Sequence, residues 1–454
     1  MLSSTRDEKR AALLVASVAS FLTPFMGSAV NVALPSIGTS FNSNAIVLGW
    51  IATSYILTAA IFLIPFGRAA DILGRKKIFL TGIVLFTIAS LFCGLADSVT
   101  MLIIYRVFQA VGSSMIFGTG IAILTSVFPA NERGKAVGIT IASVYTGLAV
   151  GPFAGGMLTG ILGWRSVFFS VVPLGLIAVY FVLRNLKGEW ADSKGEKFDW
   201  AGSFVYGISL ALIMYGFSKL PDVQGYIYIV SGLFAMTVFV FWELHIPNPV
   251  LELKLFKDNI TFRYSNLAAL INYSATFAIG FLLSFYLQEV RHLSAQHAGM
   301  VLVSSPVIMA LLSPVAGKLS DRVEPRFLAS LGMGISALGL VFLFFINDHT
   351  NINVLVLILL LLGLGFALFS SPNTNAVMGS VERRHLGVAS GSLGTMRLLG
   401  QMFSMGIAMM LFALFIGDTG DINGLMKAVK AAFGIFATLC FLGIFASLAR
   451  GKVR

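Results

Sequence analysis

The chain contains 454 residues, of which 57% are hydrophobic and only 11% are charged, and its mean hydropathy is +0.89. Because soluble domains carry about 25% charged residues, this composition excludes an ordinary soluble protein. Apolar runs long enough to cross a hydrocarbon core of about 30 Å as helices recur from end to end. Both cysteines, Cys93 and Cys440, lie inside such runs, so no disulfide framework is predicted. The sequence therefore predicts an all-α polytopic membrane protein.

Fourteen apolar segments separated by polar stretches are candidate transmembrane spans. The first follows a polar N-terminus and is too long for the apolar region of a cleaved signal peptide, so we interpret it as span 1. In chain order, spans 1 to 14 cover roughly residues 11–35, 46–67, 78–97, 100–128, 135–161, 164–184, 200–219, 225–246, 261–289, 297–317, 326–347, 352–379, 387–416 and 426–449.

Lysine and arginine are distributed unevenly between the two predicted faces of the membrane. If the N-terminus is inside, 24 of the 31 lie on the inner side, five lie on the outer side, and Arg106 and Arg397 lie within spans. Such an excess is typical of cytoplasmic loops, which predicts a multi-pass protein of the cell membrane with both termini in the cytoplasm. We attribute the formal charge of +11 to this topology and to contact with anionic membrane lipid, and predict no nucleic-acid partner.

The longest polar interruption, Leu186–Asp199, follows span 6 and is interpreted as a linker between two halves. After span 10, Gly317–Asp321 repeats the Gly-x-x-x-Asp pattern of Gly67–Asp71 after span 2. If spans 2 and 10 correspond, spans 1–6 match spans 9–14, and spans 7 and 8 are an inserted pair. Internal repeats of this kind are typical of secondary transporters, whose substrate site lies between the halves near the midplane. The predicted domains are residues 1–185, 186–258 and 259–454.

The loop Gly67–Lys77 is the densest polar stretch in the first half of the chain. Its glycines permit tight turns and close backbone approach. Asp71, at an inner helix end, can pair with a basic side chain or cap a neighbouring helix. A positive cluster at the inner surface would explain the basic residues of this loop equally well, but it would not explain Asp71 between Gly67 and Gly74.

This loop resembles the one between the second and third helices of the major facilitator superfamily. Other stretches resemble the fourteen-helix drug:proton antiporter branch of that family, and the resemblance covers essentially the whole chain. The matching residues are Asn31–Pro35 in span 1, Trp50, Tyr55, Leu57 and Thr58 in span 2, Arg106–Gln109 and Gly112 in span 4, Gly147, Gly151, Pro152, Gly155 and Gly156 in span 5, and Trp164, Arg165, Phe168 and Pro173–Gly175 in span 6.

The resemblance implies the major facilitator fold, with two six-helix bundles plus the inserted pair, and two sets of residues that act in conformational change. The loop after span 2 would gate the inner surface. The glycines of span 5 recur every four residues and share one helix face, where small residues allow close helix approach and a proline permits a kink. Ordinary helix packing is the alternative to a hinge. The predicted gating and hinge residues are Gly67, Asp71, Gly74, Arg75, Gly147, Gly151, Pro152 and Gly155.

Two arginines inside spans are candidate functional residues, because charge within a membrane is costly. Arg106 lies about six residues, or about 9 Å, into span 4. The resemblance implies that Arg106 faces the cavity and takes part in proton coupling, and the alternative is a side chain that extends back to the surface. Arg397 lies near mid-depth of span 13 and could pair with backbone carbonyls or with Gln401. A structural anchor and a functional site both remain open for Arg397.

By family correspondence, spans 1, 4, 9 and 12 line the substrate cavity. Amides in apolar spans need hydrogen-bond partners, so each one could instead join two helices. A cavity of Phe, Met and neutral amides suits an amphipathic or apolar solute, and Arg106 would tolerate an anion. The predicted lining residues are Asn31, Gln109, Asn266, Asn272, Tyr273, Asn373 and Asn375.

The sequence departs from the antiporter branch at Met26, where that branch usually has an aspartate. None of the 20 acidic residues lies deep in a span: Asp199 and Glu243 lie near inner ends, and Glu289 lies near an outer end. Proton coupling by a cavity carboxylate, whose pKa burial would raise toward neutrality, therefore has no obvious carrier. A cationic substrate would also lack a counter-charge.

The chain shows no motif of soluble catalysis or ATP binding, and its five histidines are scattered at span ends, so no enzyme activity, metal site or cofactor is predicted. The sequence predicts a monomeric secondary active transporter that exports small hydrophobic or amphipathic compounds of the multidrug type by alternating access, with the proton as coupling ion. One alternative is a narrow-specificity exporter or facilitator of a neutral or anionic solute without proton antiport. Another is a membrane sensor that binds a ligand without transport.

Overall fold

The computed structural model describes residues 6–247, 249–382, 386–416 and 422–451, and every regular element within them is helical. Fourteen helical segments of these residues are long and apolar enough to cross a membrane, which confirms the all-α polytopic prediction. Eleven spans are single helices within the described ranges, and apart from span 14 their bounds are Arg6–Phe41 (span 1), Ala45–Leu73 (2), Arg75–Gly94 (3), Val99–Val127 (4), Ala130–Leu162 (5), Trp200–Lys219 (7), Val223–His245 (8), Pro325–Phe344 (11), Ile352–Gly379 (12) and Leu386–Phe415 (13).

Three spans are interrupted, and span 14 completes the set. Span 6 consists of Arg165–Ser170 and Val172–Asn185, and span 10 consists of Ala295–Leu302 and Ser304–Ser320. Span 9 joins Ile260–Thr276 and Ile279–Phe285 and ends in the π-helical turn Tyr286–Val290, and a short helix, Lys254–Asp258, precedes it. Span 14 is Ile422–Ala449.

The same pattern of helix packing occurs twice along the chain. In the first bundle, span 1 packs against spans 4, 5 and 6, span 3 against spans 4 and 6, and span 2 against span 4. In the second bundle, span 9 packs against spans 12, 13 and 14, span 11 against spans 12 and 14, and span 10 against span 12. These pairings match spans 1–6 to spans 9–14 in the order that the sequence predicted. The fold is therefore two six-helix bundles plus two further helices, while the residue limits of the domains stay a prediction.

The inserted helices lie against one seam between the bundles. Span 7 packs on span 2 of the first bundle and on span 13 of the second, and span 8 packs on span 7. The Tyr206 hydroxyl in span 7 donates to the Ala60 carbonyl in span 2 at 3.2 Å. On the other side, the ring of Phe217 contacts that of Phe403 in span 13 edge to face, with 6.2 Å between centroids. Span 7 therefore bridges the two bundles at this seam.

The glycine face of span 5 lies against the backbone of span 1. A Cβ added at Gly147 would lie 2.5 Å from the Phe21 carbonyl oxygen, and one added at Gly155 would lie 2.7 Å from the Ala29 Cα. Gly151 lies between them on the same contact. The spacing of four residues therefore gives the close helix approach that small residues permit.

Span 5 also contacts span 10 across the two bundles. A Cβ added at Gly156 would lie 2.4 Å from the Ala295 carbonyl oxygen, and one added at Gly299 would lie 2.3 Å from the Pro152 carbonyl oxygen. Backbone therefore meets backbone at this point, with no side chain between the bundles. This contact brings the two bundles together at the membrane face opposite to the loop Gly67–Lys77.

Adding one methyl group at Gly155 should destabilise the first bundle. We expect Gly155→Ala to lower the free energy of unfolding by about 1–3 kcal/mol, because the Ala29 backbone cannot move aside without shifting span 1. Gly138→Ala in the same helix is the matched control, since an added Cβ there meets no atom within 4 Å. Its stability should stay equal or rise slightly, because alanine favours helix. Thermal melting in detergent measures both, and equal melting temperatures for the two variants would contradict the packing argument.

Candidate functional site

A cavity of ≈ 2030 Å³ lies between the two bundles. It opens on the membrane face that carries the start of span 1 and the loops after spans 2, 4, 6, 8, 10 and 12, which we call the basic face. Lys9, Arg68 and Lys187 lie at its mouth, and Asn31 and Leu302 lie at its closed end. Beyond this end, the bundles are joined by a hydrogen bond from the Gln288 side chain to the Val32 carbonyl, at 3.0 Å.

The seven predicted lining residues divide into two groups. Asn31, Tyr273 and Asn375 line the cavity, whereas Gln109, Asn266, Asn272 and Asn373 do not. For the second group, the prediction that they line the cavity is wrong, because these four side chains are buried between helices. The Asn266 amide donates to the Phe262 carbonyl one turn earlier, at 2.9 Å, and the Asn373 amide donates to the Ser265 carbonyl of span 9, at 3.1 Å. Backbone carbonyls are the nearest acceptors for amides in an apolar interior, so Asn373 joins spans 12 and 9, whereas Asn266 bonds within span 9.

Arg106 lies on the cavity wall and is only 1% exposed. Its Nη1 donates to Gln109 Oε1 at 2.5 Å, its Nε donates to the Ile51 carbonyl at 3.2 Å, and its guanidinium carbon lies 4.1 Å from the centroid of the Tyr55 ring. Gln109 in turn donates to Ser90 Oγ at 2.7 Å. The side chain therefore does not extend to the surface, and its positive charge is held by neutral acceptors and an aromatic face.

Arg397 also lines the cavity, from the second bundle. Its guanidinium carbon lies 5.1 Å from the centroid of the Tyr273 ring, and its Nε is buried without a hydrogen-bond partner. Gln401 lines the cavity too, but no hydrogen bond joins it to Arg397. The structure therefore places Arg397 on the cavity wall and leaves one of its donors free. No sequence pattern indicated the neighbouring Tyr145, whose hydroxyl lies 3.1 Å from Ser370 Oγ across the two bundles.

Acidic side chains are absent from the deep part of the cavity within the described residues. Met26 is fully buried in span 1 and does not line the cavity. Asp199 and Glu243, the buried acids of the described chain, lie at the basic-face ends of spans 7 and 8 and also lie outside its wall. The acidic lining residues are all at the mouth: Glu8, Asp71, Asp192 and Glu252. The deep cavity therefore carries two guanidinium groups and, among the described residues, no carboxylate.

At the mouth, Arg75 joins four segments of the chain. It donates to Asp71 Oδ1 through Nε at 3.0 Å and through Nη2 at 2.7 Å, and to Ser126 Oγ of span 4 at 2.9 Å. It also forms an ion pair with Asp192 of the linker, at 2.7 Å. Asp71 and Arg75 thus act together, as the loop pattern suggested, although their role in gating stays a prediction.

The linker also caps the start of span 3. The Lys76 backbone N–H donates to Glu189 Oε1 at 2.9 Å, and the Arg75 N–H donates to the Trp190 carbonyl at 2.9 Å. Gly74, with φ +117°, ends span 2 and supplies no side-chain cap. Because the first N–H groups of a helix have no partner within the helix, the linker satisfies donors that the loop leaves free. From the sequence, Leu186–Asp199 was interpreted only as a linker, and its capping of span 3 was not predicted.

Removing the Arg75 side chain should release the linker. Arg75→Ala takes away its ion pairs with Asp71 and Asp192, and the Asp192 side chain is 71% exposed, so the pair that holds the linker is worth about 1 kcal/mol or less. We expect amide hydrogen exchange in residues 187–197 to become about two- to five-fold faster. Lys77→Ala removes an equal charge from an exposed position of the same helix and should leave this exchange unchanged. Slow linker exchange in the Arg75 variant would show that the linker is held by other contacts.

Comparison with known proteins agrees with this architecture. The riboflavin transporter RibZ of Clostridioides difficile (strain 630) is 30% identical over 448 residues, which cover 96% of each chain. The multidrug resistance protein Stp of Mycobacterium tuberculosis (strain CDC 1551 / Oshkosh) is 28% identical over 396 residues, or 86% of this chain and 73% of Stp. The crystal structure of a D-xylose-proton symporter superposes with a TM-score of 0.68 at 14% identity, over 96% of this chain and 97% of the symporter.

The family model of the Major Facilitator Superfamily matches residues 16–405 and 265–452, which together cover nearly the whole described chain. The relatives named above are transporters, not enzymes. On this sequence match and on its two-bundle helical fold, the chain belongs to the Major Facilitator Superfamily of membrane transporters.

Proposed function

We propose that this transporter exports small amphipathic compounds by alternating access, with the proton as coupling ion. The cavity that opens on one face only is the observation that carries the proposal. Its volume of ≈ 2030 Å³ exceeds that of a typical drug-sized pocket, about 300–1,000 Å³, so it can accept solutes of different shapes. The names of two relatives, a riboflavin transporter and a multidrug resistance protein, fit cargo of this kind.

The export direction depends on the orientation in the membrane. The excess of Lys and Arg on the basic face favours the cytoplasm for that face and for both termini. The conformation described here would then load solute from the cytoplasm. The closed contact between spans 5 and 10 would have to separate for release on the other side.

A second candidate is a facilitator or narrow-specificity exporter of a neutral or anionic solute, without proton antiport. It is favoured by the two guanidinium groups of the deep cavity, where no described residue supplies a carboxylate. A cation brought to about 4 Å from either group would be repelled by about 4 kcal/mol at an effective dielectric constant of 20. The cavity charge therefore disfavours a cationic solute. Without a carboxylate among the described residues of the deep cavity, proton coupling would depend on Arg106 and its neutral neighbours.

Proton coupling predicts proton movement that depends on solute. In proteoliposomes with an acidic interior, addition of the neutral amphipath N-phenyl-1-naphthylamine should drive proton efflux and solute uptake together. Arg106→Ala should abolish the proton flux, because its charge holds the Tyr55 ring on the cavity wall and the Gln109 side chain behind that wall. Glu243→Gln is the comparison variant, since its carboxyl is buried outside the cavity and should not contribute. Both fluxes are followed with an internal pH indicator and by probe fluorescence.

Three other results would each change the proposal. Solute flux without proton flux in the parent protein would reject antiport and favour the second candidate. Binding of the probe without any flux would reject transport and favour a sensor. Loss of proton flux in Glu243→Gln but not in Arg106→Ala would move the coupling site out of the cavity.

The orientation predicts which introduced cysteines react in intact cells. Cys93 and Cys440 are buried, so their background labelling should be low. Ser390, near the mouth of the cavity, should react as Ser390→Cys with a membrane-impermeant maleimide only after the cells are opened. Lys427, exposed near the opposite end of the bundle, should react as Lys427→Cys in intact cells. The reverse pattern would place the cavity mouth outside the cell.

A further inference from the structure

The two cavity arginines differ in how their charges are satisfied. Arg106 donates to Gln109 and to the Ile51 carbonyl, and it stacks on Tyr55. Arg397 lies over Tyr273, but its Nε is buried without an acceptor, and no described carboxylate pairs with it. Arg397 is partly exposed to the cavity and interacts with the Tyr273 hydroxyl, so its unsatisfied Nε is the feature that distinguishes it from Arg106. An anion is the ligand that would satisfy both this donor and the charge.

Close packing of spans 9 and 13 fixes the position of Arg397. A Cβ added at Gly400 would lie 2.6 Å from the Leu270 carbonyl oxygen and 2.8 Å from the Tyr273 Cβ. Arg397 precedes Gly400 by three residues and so lies on the same helix face. This packing fixes the backbone from which the Arg397 side chain extends, and from there its guanidinium lies over the Tyr273 ring.

The groups around Arg397 combine hydrogen-bond donors with aromatic surface. The Tyr145 hydroxyl, from the first bundle, interacts electrostatically with Arg397 and lies 3.1 Å from Ser370 Oγ of the second bundle. The Tyr273 ring meets that of Phe366 edge to face, with 5.5 Å between centroids. Arg397, Tyr145, Tyr273 and Phe366 all line the cavity. A charged group and an aromatic body could therefore be bound side by side.

We propose that Arg397 and the Tyr145 hydroxyl bind an anionic group of the transported solute, such as a carboxylate, sulfonate or phosphate, while its aromatic body packs on Tyr273 and Phe366. This inference rests on the proposed transport function and narrows its cargo to anionic aromatic compounds. The guanidinium presents two parallel N–H groups to such an anion and keeps its charge at any physiological pH. Arg106, whose Nε and Nη1 are already engaged at Ile51 and Gln109, would add mainly long-range attraction.

Two probes with the same aromatic body test the charge requirement. These are 8-anilino-1-naphthalenesulfonate, which carries a sulfonate, and N-phenyl-1-naphthylamine, which is neutral. Energy transfer from the protein's tryptophans reports binding to the protein rather than to lipid, and Trp190 lies on the cavity wall. Arg397→Gln should raise the dissociation constant of the sulfonate about ten-fold or more and change that of the neutral probe less than about two-fold. Lys427→Gln removes the same charge from an exposed site and should change neither constant.

A second variant tests the same site independently, in case Arg397→Gln misfolds. Tyr145→Phe keeps every charge and should weaken sulfonate binding about three-fold through loss of one donor, while the neutral probe binds as before. An equal loss of both probes in Arg397→Gln would show that Arg397 only holds the helices in place. Sulfonate binding that neither variant weakens would likewise overturn the proposal.

Binding and flux distinguish this inference from the transport proposal. A selective loss of sulfonate binding in Arg397→Gln, in a protein that moves neither probe across proteoliposomes, would support the anion site and reject transport. Flux of both probes at rates that Arg397→Gln leaves unchanged would support transport and reject the anion site.

Discussion

The closed end of the cavity depends on direct contact between helix backbones. Spans 1, 5 and 10 meet where Gly155 faces Ala29 and Gly299 faces the Pro152 carbonyl, so no side chain fills the space between them. Helices in lipid gain nothing from the hydrophobic effect when they associate, and their contact is held by van der Waals packing over closely matched surfaces. Packing of this kind is lost within a small displacement. The contact is therefore either formed or lost, with few intermediate states. Such two-state behaviour suits a gate.

The arrangement of charged side chains changes with depth along the cavity. At the mouth, where water screens charge, Asp71 and Asp192 pair with Arg75. In the deep part, Arg106 and Arg397 lie against tyrosine rings and neutral acceptors. Because Asp71 and Asp192 are already paired at the mouth, and no described acidic side chain lies deeper, the two arginines set the sign of the potential in the deep cavity. On the proposed function, substrate charge would be selected by these two arginines of the deep cavity and not by the paired charges at its mouth.

Hydropathy and repeat spacing were sufficient to predict the helical spans and the correspondence of the two halves, because both depend on the composition of long segments. The face of an individual amide was not predictable. Asn31 and Asn266 are both asparagines in apolar runs, yet only Asn31 lines the cavity, since the rotation of each helix depends on the packing of all its neighbours. The cap that Glu189 provides to Lys76 joins residues 113 positions apart. No local pattern in either segment indicates such a contact.

The hydrogen bonds also separate the parts that move together from those that move apart. Arg75, Asp71 and Ser126 belong to the first bundle, and the linker residues bound to them are held to that bundle alone. A rocking motion of one bundle against the other would leave this charged network intact. Among the described residues, the hydrogen bonds between the bundles include Gln288 to Val32, Tyr145 to Ser370 and Thr53 to Met409, which are single bonds between neutral groups that such a motion would strain or break. Since each contributes only about 0.5–1.5 kcal/mol, the strong interactions lie within the moving bodies and the weak ones lie between them. A solute anion held between Arg397 of one bundle and Tyr145 of the other would exchange one of these weak bonds for a stronger one, and so would favour the conformation in which both bundles can reach it.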